Sequence, residues 1–198
     1  MSAIQFIPAL DALGFCRSAF LTRVPGIDCQ TDRETALIRL RQAHAALLDQ
    51  AGFSPPVIAE QVHGNEIAVL TKRPDSTIPT VDALATSTPG LCLGIYVADC
   101  AAVYFADPVR RVIALAHSGK KGTELSIVPR TIETLRENFG SQPTDLTVVV
   151  SPCIRPPDYE IDFAATIADQ AKSAGVTNFH DPGENTAADL EKFYSYRV

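Results

Sequence analysis

Residues Tyr96 to Gly122 read YVADCAAVYFADPVRRVIALAHSGKKG, and the fold turns on how this stretch is arranged. Two apolar runs, Leu93 to Phe105 and Arg111 to Ala116, flank an Asp107-Pro108 turn signal, which predicts two strands. The run LCLGIYVA shows no polar alternation, so a strand buried on both faces is expected, within a layered mixed α/β arrangement. Cys100 sits inside the first run and His117 closes the second. Side chains on successive paired strands can meet at one point. A third candidate, His63, lies upstream in EQVHGNEI.

Asp99 interrupts the first run, and a buried carboxylate needs a hydrogen-bonded partner. It is expected either to cap backbone amides or to act directly in catalysis. Downstream, His117-Ser118-Gly119-Lys120-Lys121-Gly122 is expected to open a helix running to about Phe139, with Pro129 near its start. Glycines and lysines at a helix start suit an anion, although the spacing is not that of a Walker A loop. Leu146 to Val150 reads as a buried strand, after which Tyr159 and Glu160 either line a site or start a helix over Asp162 to Ala174.

Upstream, Thr31 to Gln50 has the apolar spacing of an amphipathic helix, with Thr31 and Glu34 placed as a capping box. His44 on this helix has no neighbouring donors to complete a ligand set. Val57 to Leu70 predicts two strands around a His63-Gly64-Asn65 turn, where a histidine either caps the turn or reaches into a site.

The whole chain, 1 to 198, reads as one domain with enough length to bury a core. A net charge of -6 argues against nucleic acid and anionic membranes, and no run approaches a membrane span. The N-terminal stretch MSAIQFIPALDALGF lacks the pattern of a signal peptide, and five unevenly spaced cysteines make no disulfide framework. A cytoplasmic protein, monomeric or weakly self-associating, is expected, with a small polar ligand as its partner.

Two histidines and one cysteine make a competent three-donor set for zinc, leaving a fourth position for water. Zinc lowers the pKa of such a water to about 7. The same donors accept copper. Alternatively, Cys100 and His117 alone can serve as a nucleophile and its base in a metal-free hydrolase or deamidase. Separations of 37 and 17 residues between the donors do not choose between these.

The segments QVHGNEI, VDALATSTPGLCLGIYVADCAAVYFADP, VIALAHSG and SPCIRPPDYEI, in that order, closely resemble the YfiH-like laccase-domain family, also called multicopper polyphenol oxidoreductases. FLTRVPG and FYSYRV echo its flanking motifs. The resemblance implies a mixed α/β fold with sheets packed between helices, and a zinc site at His63, Cys100 and His117 in which purine nucleosides are cleaved by phosphate. Adenosine deamination is implied for related proteins, and copper-dependent phenol oxidation is implied by the family's older name. Beside the metal, with Asp99 as a further catalytic candidate, the substrate and phosphate are expected to meet Gln61, Arg23, Ser118, Gly119, Lys120, Lys121, Tyr159, Glu160 and Arg197. Lys120 and Lys121 stand where the family carries Trp and Arg, which keeps the charge but removes a stacking surface and a bidentate fork. That change makes a ligand-binding, non-enzymatic member a further alternative.

Overall fold

The computed structural model describes residues 3 to 197. In chain order, the first elements are β1 (Ile4–Phe6), α1 (Pro8–Asp11), β2 (Ala19–Leu21), α2 (Arg33–Gln50), β3 (Pro56–Ile58) and β4 (Ile67–Leu70). The middle of the chain forms β5 (Ala83–Thr86), β6 (Cys92–Gly94), β7 (Ala101–Asp107), β8 (Val112–Ser118), α3 (Lys120–Glu124) and α4 (Ile127–Phe139). The chain closes with β9 (Thr147–Val150), α5 (Phe163–Ser173) and β10 (Asn178–His180). A mixed six-stranded sheet in the order β10-β9-β7-β8-β5-β4 forms the centre, and β1-β2 and β3-β6 make two small sheets beside it.

Period-two alternation divides the side chains of β7 between the two faces. Ala101, Val103 and Phe105 point to the face covered by α4 and α5, where Ile127, Val128, Ile132, Leu135, Phe163 and Ile167 complete the main core. Ala106 and Tyr104 face the other way, toward Leu10 and Phe15. β7 is thus buried on both faces, whereas LCLGIYVA, expected to be so, forms the half-buried β6 and the coil after it.

The Leu93 to Phe105 run is not one strand. β6 pairs in parallel with β3, whereas β7 pairs with β8 and β9 in the central sheet. β6 ends at Gly94, and Asp99 takes a left-handed φ of 77° that re-aims the chain just before β7. The segments flanking His63 likewise do not form a hairpin, since β3 belongs to a small sheet and β4 pairs in parallel with β5. The helix expected after His117 is two helices, broken where Ser126 adopts a φ of 59°. Pro129 sits in the first turn of α4, where its missing N–H costs nothing.

The long helix begins one residue past its expected cap: Asp32, not Thr31, accepts the Thr35 amide at 2.9 Å. Its apolar stripe, including Leu37, Leu40, His44 and Leu48, faces a cavity of about 1410 Å³ that also reaches the ends of β7 and β8.

Candidate metal centre

Strand register assembles the site. Ala83 lies opposite Ala116 and Ala102 opposite His117, so the start of β5, the start of β7 and the end of β8 meet at one end of the sheet. His117 is the penultimate residue of β8, and Cys100 immediately precedes β7. The loop between β3 and β4 brings His63 over them. One donor atom from each of His63, Cys100 and His117 lies within 4.8 Å of the others. The two imidazoles meet edge to face, centroids 4.8 Å apart at 75°. His117 is buried, Cys100 half-buried and His63 exposed, so the group opens to solvent on one side.

Sequence reading did not single out Asp82, which hydrogen-bonds both histidine segments. Its side chain is fully buried. Oδ2 accepts the backbone N–H of Val62 at 3.1 Å and of Gly64 at 2.7 Å, and Oδ1 accepts that of His63 at 2.9 Å. Oδ1 also hydrogen-bonds Nδ1 of His117 at 2.8 Å. The backbone of Gln61 and His63 has left-handed φ values of 65° and 60°, a strained geometry that the Asp82 carboxylate over-determines. The available signal was an acidic residue at the mouth of the apolar stretch VDALAT.

Two glycines fit the same crowding. A Cβ on Gly119 would overlap the Cys100 sulfur, and one on Gly64 would press on Oδ2 of Asp82 at 3.3 Å. Burial would raise the Asp82 carboxyl, but the His117 hydrogen bond and the Gly64 amide outweigh it and hold the carboxyl below its usual range. Desolvation, then the neighbouring His117, lowers His63. Burial, then the charges of Asp99 and Asp82, pushes the Cys100 thiol up to about 11.

The other expected residues divide. Gln61 is buried and clamps the backbone of Tyr96, donating from Nε2 to its carbonyl at 2.6 Å and accepting its amide at 2.8 Å. Asp99 does not face the donors with a free carboxylate. It accepts the Thr186 hydroxyl at 2.8 Å, the Ser195 hydroxyl at 3.0 Å, and the amides of Tyr196 and Arg197 at 2.7 and 2.9 Å. That pins the C-terminal segment beside Cys100, which is a capping role across the molecule rather than within a turn.

Lys120, Tyr159 and Arg197 line the cavity beside the trio, and the Arg197 guanidinium lies 4.6 Å from the centre of the Tyr159 ring. Ser118 turns inward to the Thr123 hydroxyl at 2.8 Å. Gly119 caps α3, a helix of only five residues, so the expected anion cradle is a single turn. Lys121 and Glu160 are exposed and outside the cavity wall. Arg23 is not on the cavity wall; it bonds the Leu190 carbonyl at 2.9 Å and stacks behind Tyr194, which is part of that wall.

The donors suit a metal ion. Nδ1 of His117 is committed to a carboxylate, which leaves Nε2 for coordination in the carboxylate–histidine–metal pattern. Thiolate and imidazole together match the preferences of zinc and of copper.

Residues 26–164 match the family described as multi-copper polyphenol oxidoreductase laccase. The chain belongs to this family. Among curated relatives of this laccase-domain chain, a purine nucleoside phosphorylase of Deinococcus radiodurans is 34% identical over 167 residues, covering 80% of this chain and 64% of its own. A purine nucleoside phosphorylase of Corynebacterium glutamicum is 33% identical over 133 residues, covering 65% and 54%. The chain thus spans about half the length of the curated relatives it matches. The fold is that of YfiH from Bacillus licheniformis, with a TM-score of 0.80 at 22% identity over 100% of this chain and 91% of that one. YlmD from Geobacillus stearothermophilus superposes with a TM-score of 0.72 at 23% identity, covering 89% and 82%.

Proposed function

We propose that this chain is a zinc enzyme that cleaves purine nucleosides with phosphate. The observation that carries the proposal is the convergence of His63, Cys100 and His117, with Nδ1 of His117 already bound to Asp82. Support for the substrate comes from relatives named purine nucleoside phosphorylase at 33% and 34% identity.

In the proposed reaction a phosphate oxygen forms the new bond to C1′ of the ribose while the C1′–N9 bond breaks. The base leaves with that electron pair and takes up a proton. Lys120 and Arg197, on the cavity wall, would hold the phosphate, and the Tyr159 ring offers a flat apolar face to the nucleoside. Lys121 adds positive charge near His63. A zinc ion held by His63, Cys100 and His117 would supply Lewis acidity beside the bound nucleoside. The same centre suits hydrolytic deamination of adenosine as a second activity.

Zinc analysis of protein purified without added metal, beside assays of adenosine and inosine with and without phosphate, tests the proposal. Expected are about one zinc per chain and phosphate-dependent release of base. Protein that holds no zinc, keeps its stability on chelation and leaves both nucleosides intact overturns it.

Two observations weigh against the other chemistries. A cluster of several copper ions needs many histidines, and this chain has four. Of these, His44 stacks on Tyr96 and His180 bonds Asn178, both apart from the trio. For a metal-free Cys100–His117 hydrolase, burial and the charges of Asp99 and Asp82 push the Cys100 thiol up, away from the thiolate that a nucleophile needs.

A further inference from the structure

We propose that Asp82 is the positioning residue of the metal centre, a single buried carboxylate that fixes the tautomer of His117 and the seat of His63 together. The inference rests on the zinc reading above and assigns the control of that site. Its basis is the division of the four hydrogen bonds. Oδ1 serves one group from each histidine, the Nδ1 of His117 and the backbone amide of His63, and Oδ2 serves the amides on either side of His63. Every group that faces the carboxylate is a donor, so every acceptor position is used by the two histidine segments.

The chain position of Asp82 explains why one residue can do both. It directly precedes β5, its carbonyl accepts the His117 amide at 2.8 Å, and its own amide donates to the Glu66 carbonyl at 3.0 Å. The sheet therefore fixes the Asp82 backbone to both histidine-bearing segments before its side chain acts. A rigid acceptor at that point holds a proton on Nδ1 of His117, so the neutral ring has one tautomer, with its lone pair on Nε2.

Asp82→Asn keeps the shape and replaces one acceptor with a donor. With its oxygen toward Val62 and Gly64, the amide group faces both the His63 N–H, which loses its acceptor, and Nδ1 of His117, which must then hold its proton on Nε2 and cannot coordinate through it. With its oxygen toward His117, the amide group faces the Val62 and Gly64 N–H groups, and the His63 loop loses its seat. Either orientation disturbs at least one histidine of the donor set.

The test is a zinc competition titration against a chromophoric chelator on the full chain, joined to nitrogen-15 spectra of the metal-free protein. Asp82→Asn is expected to bind zinc about 10- to 100-fold more weakly. In the metal-free wild type, His117 is expected to carry its proton on Nδ1, and the Val62, His63 and Gly64 amides to exchange slowly. In the variant, either the tautomer reverses or those amides exchange fast. A variant that melts lower yet binds zinc with wild-type affinity, with His117 and the three amides unchanged, overturns the proposal. If the variant does not fold, the wild-type spectra decide: His117 protonated on Nε2, or rapid exchange at the three amides, overturns it. Wild type that binds no zinc defeats the zinc reading alone, because tautomer and exchange are read without metal.

Discussion

Gly119 is held to glycine by its neighbour: a β-carbon there would occupy the space of the Cys100 sulfur. Gly119→Ala must displace either the thiol or the turn that opens α3, so about 1 to 3 kcal/mol of stability is expected to be lost. Urea unfolding measures that loss, and zinc titration of the same protein is expected to show weakened binding; wild-type values in both would show that the turn yields freely. His44 makes a second case. It is 8% exposed, stacks on Tyr96 with centroids 5.9 Å apart, and its buried Nε2 has no partner. Desolvation lowers its pKa beneath the usual 6.5, so the unfolded chain binds the proton more readily than the folded one. Stability from this residue is complete above about pH 6.5 and declines as pH falls from there toward the depressed folded value. His44→Phe keeps the stacking and is expected to flatten the loss of urea midpoint between pH 7.5 and 5.5. Equal slopes in the two proteins would assign that loss to other groups.

At the scale of elements, the trio was legible because residue type marks His63, Cys100 and His117 as candidate donors and the family resemblance picks out the same three, while apolar runs marked β8, which carries His117, and β7, which Cys100 precedes. Asp82 was not, because its meaning lies in the register that sets Ala83 opposite Ala116, a pairing between segments more than thirty residues apart. The split of Leu93 to Phe105 was hidden for a similar reason. Its hydropathy is continuous, yet β6 ends at Gly94 and the turn into β7 is set by Asp99 in a left-handed conformation, held by groups from the far end of the chain. Asp99 thereby joins the ligand strand to the C-terminal segment. Asp99→Ala removes the acceptor of two hydroxyls and two amides, so a loss of about 2 to 4 kcal/mol is expected. Hydrogen exchange at Tyr196 and Arg197 is expected to accelerate more than exchange in β9, which would show that the segment detaches locally. Uniform acceleration across the sheet would instead make Asp99 a support of the whole core.

At the scale of the whole molecule, the three donors come from the loop before β4, the entry to β7 and the end of β8, and a metal ion would join them. The central sheet already aligns the donors at β7 and β8, so the ion adds most at the His63 loop, where the Val62, His63 and Gly64 amides share one carboxylate. An ion that binds the folded chain and not the unfolded one stabilises it by mass action, by about 2.7 kcal/mol when free zinc exceeds its dissociation constant a hundredfold. For a chain of this size that corresponds to a rise in melting temperature of about 5 to 10 °C. Wild type melted in excess chelator and in buffered zinc is expected to differ by that amount, whereas Cys100→Ser, with its soft donor gone, is expected to show a much smaller difference. The long apolar stripe of α2 sits apart from this effect: it borders the cavity and supplies none of the donors, so its melting need not follow the ion. Circular dichroism would report the whole chain, and exchange at the Gly64 amide would report the loop. Stabilisation seen at Gly64 and in the global melt together places the ion at the trio, and identical melting in chelator and zinc would mean that these three side chains meet without holding a metal.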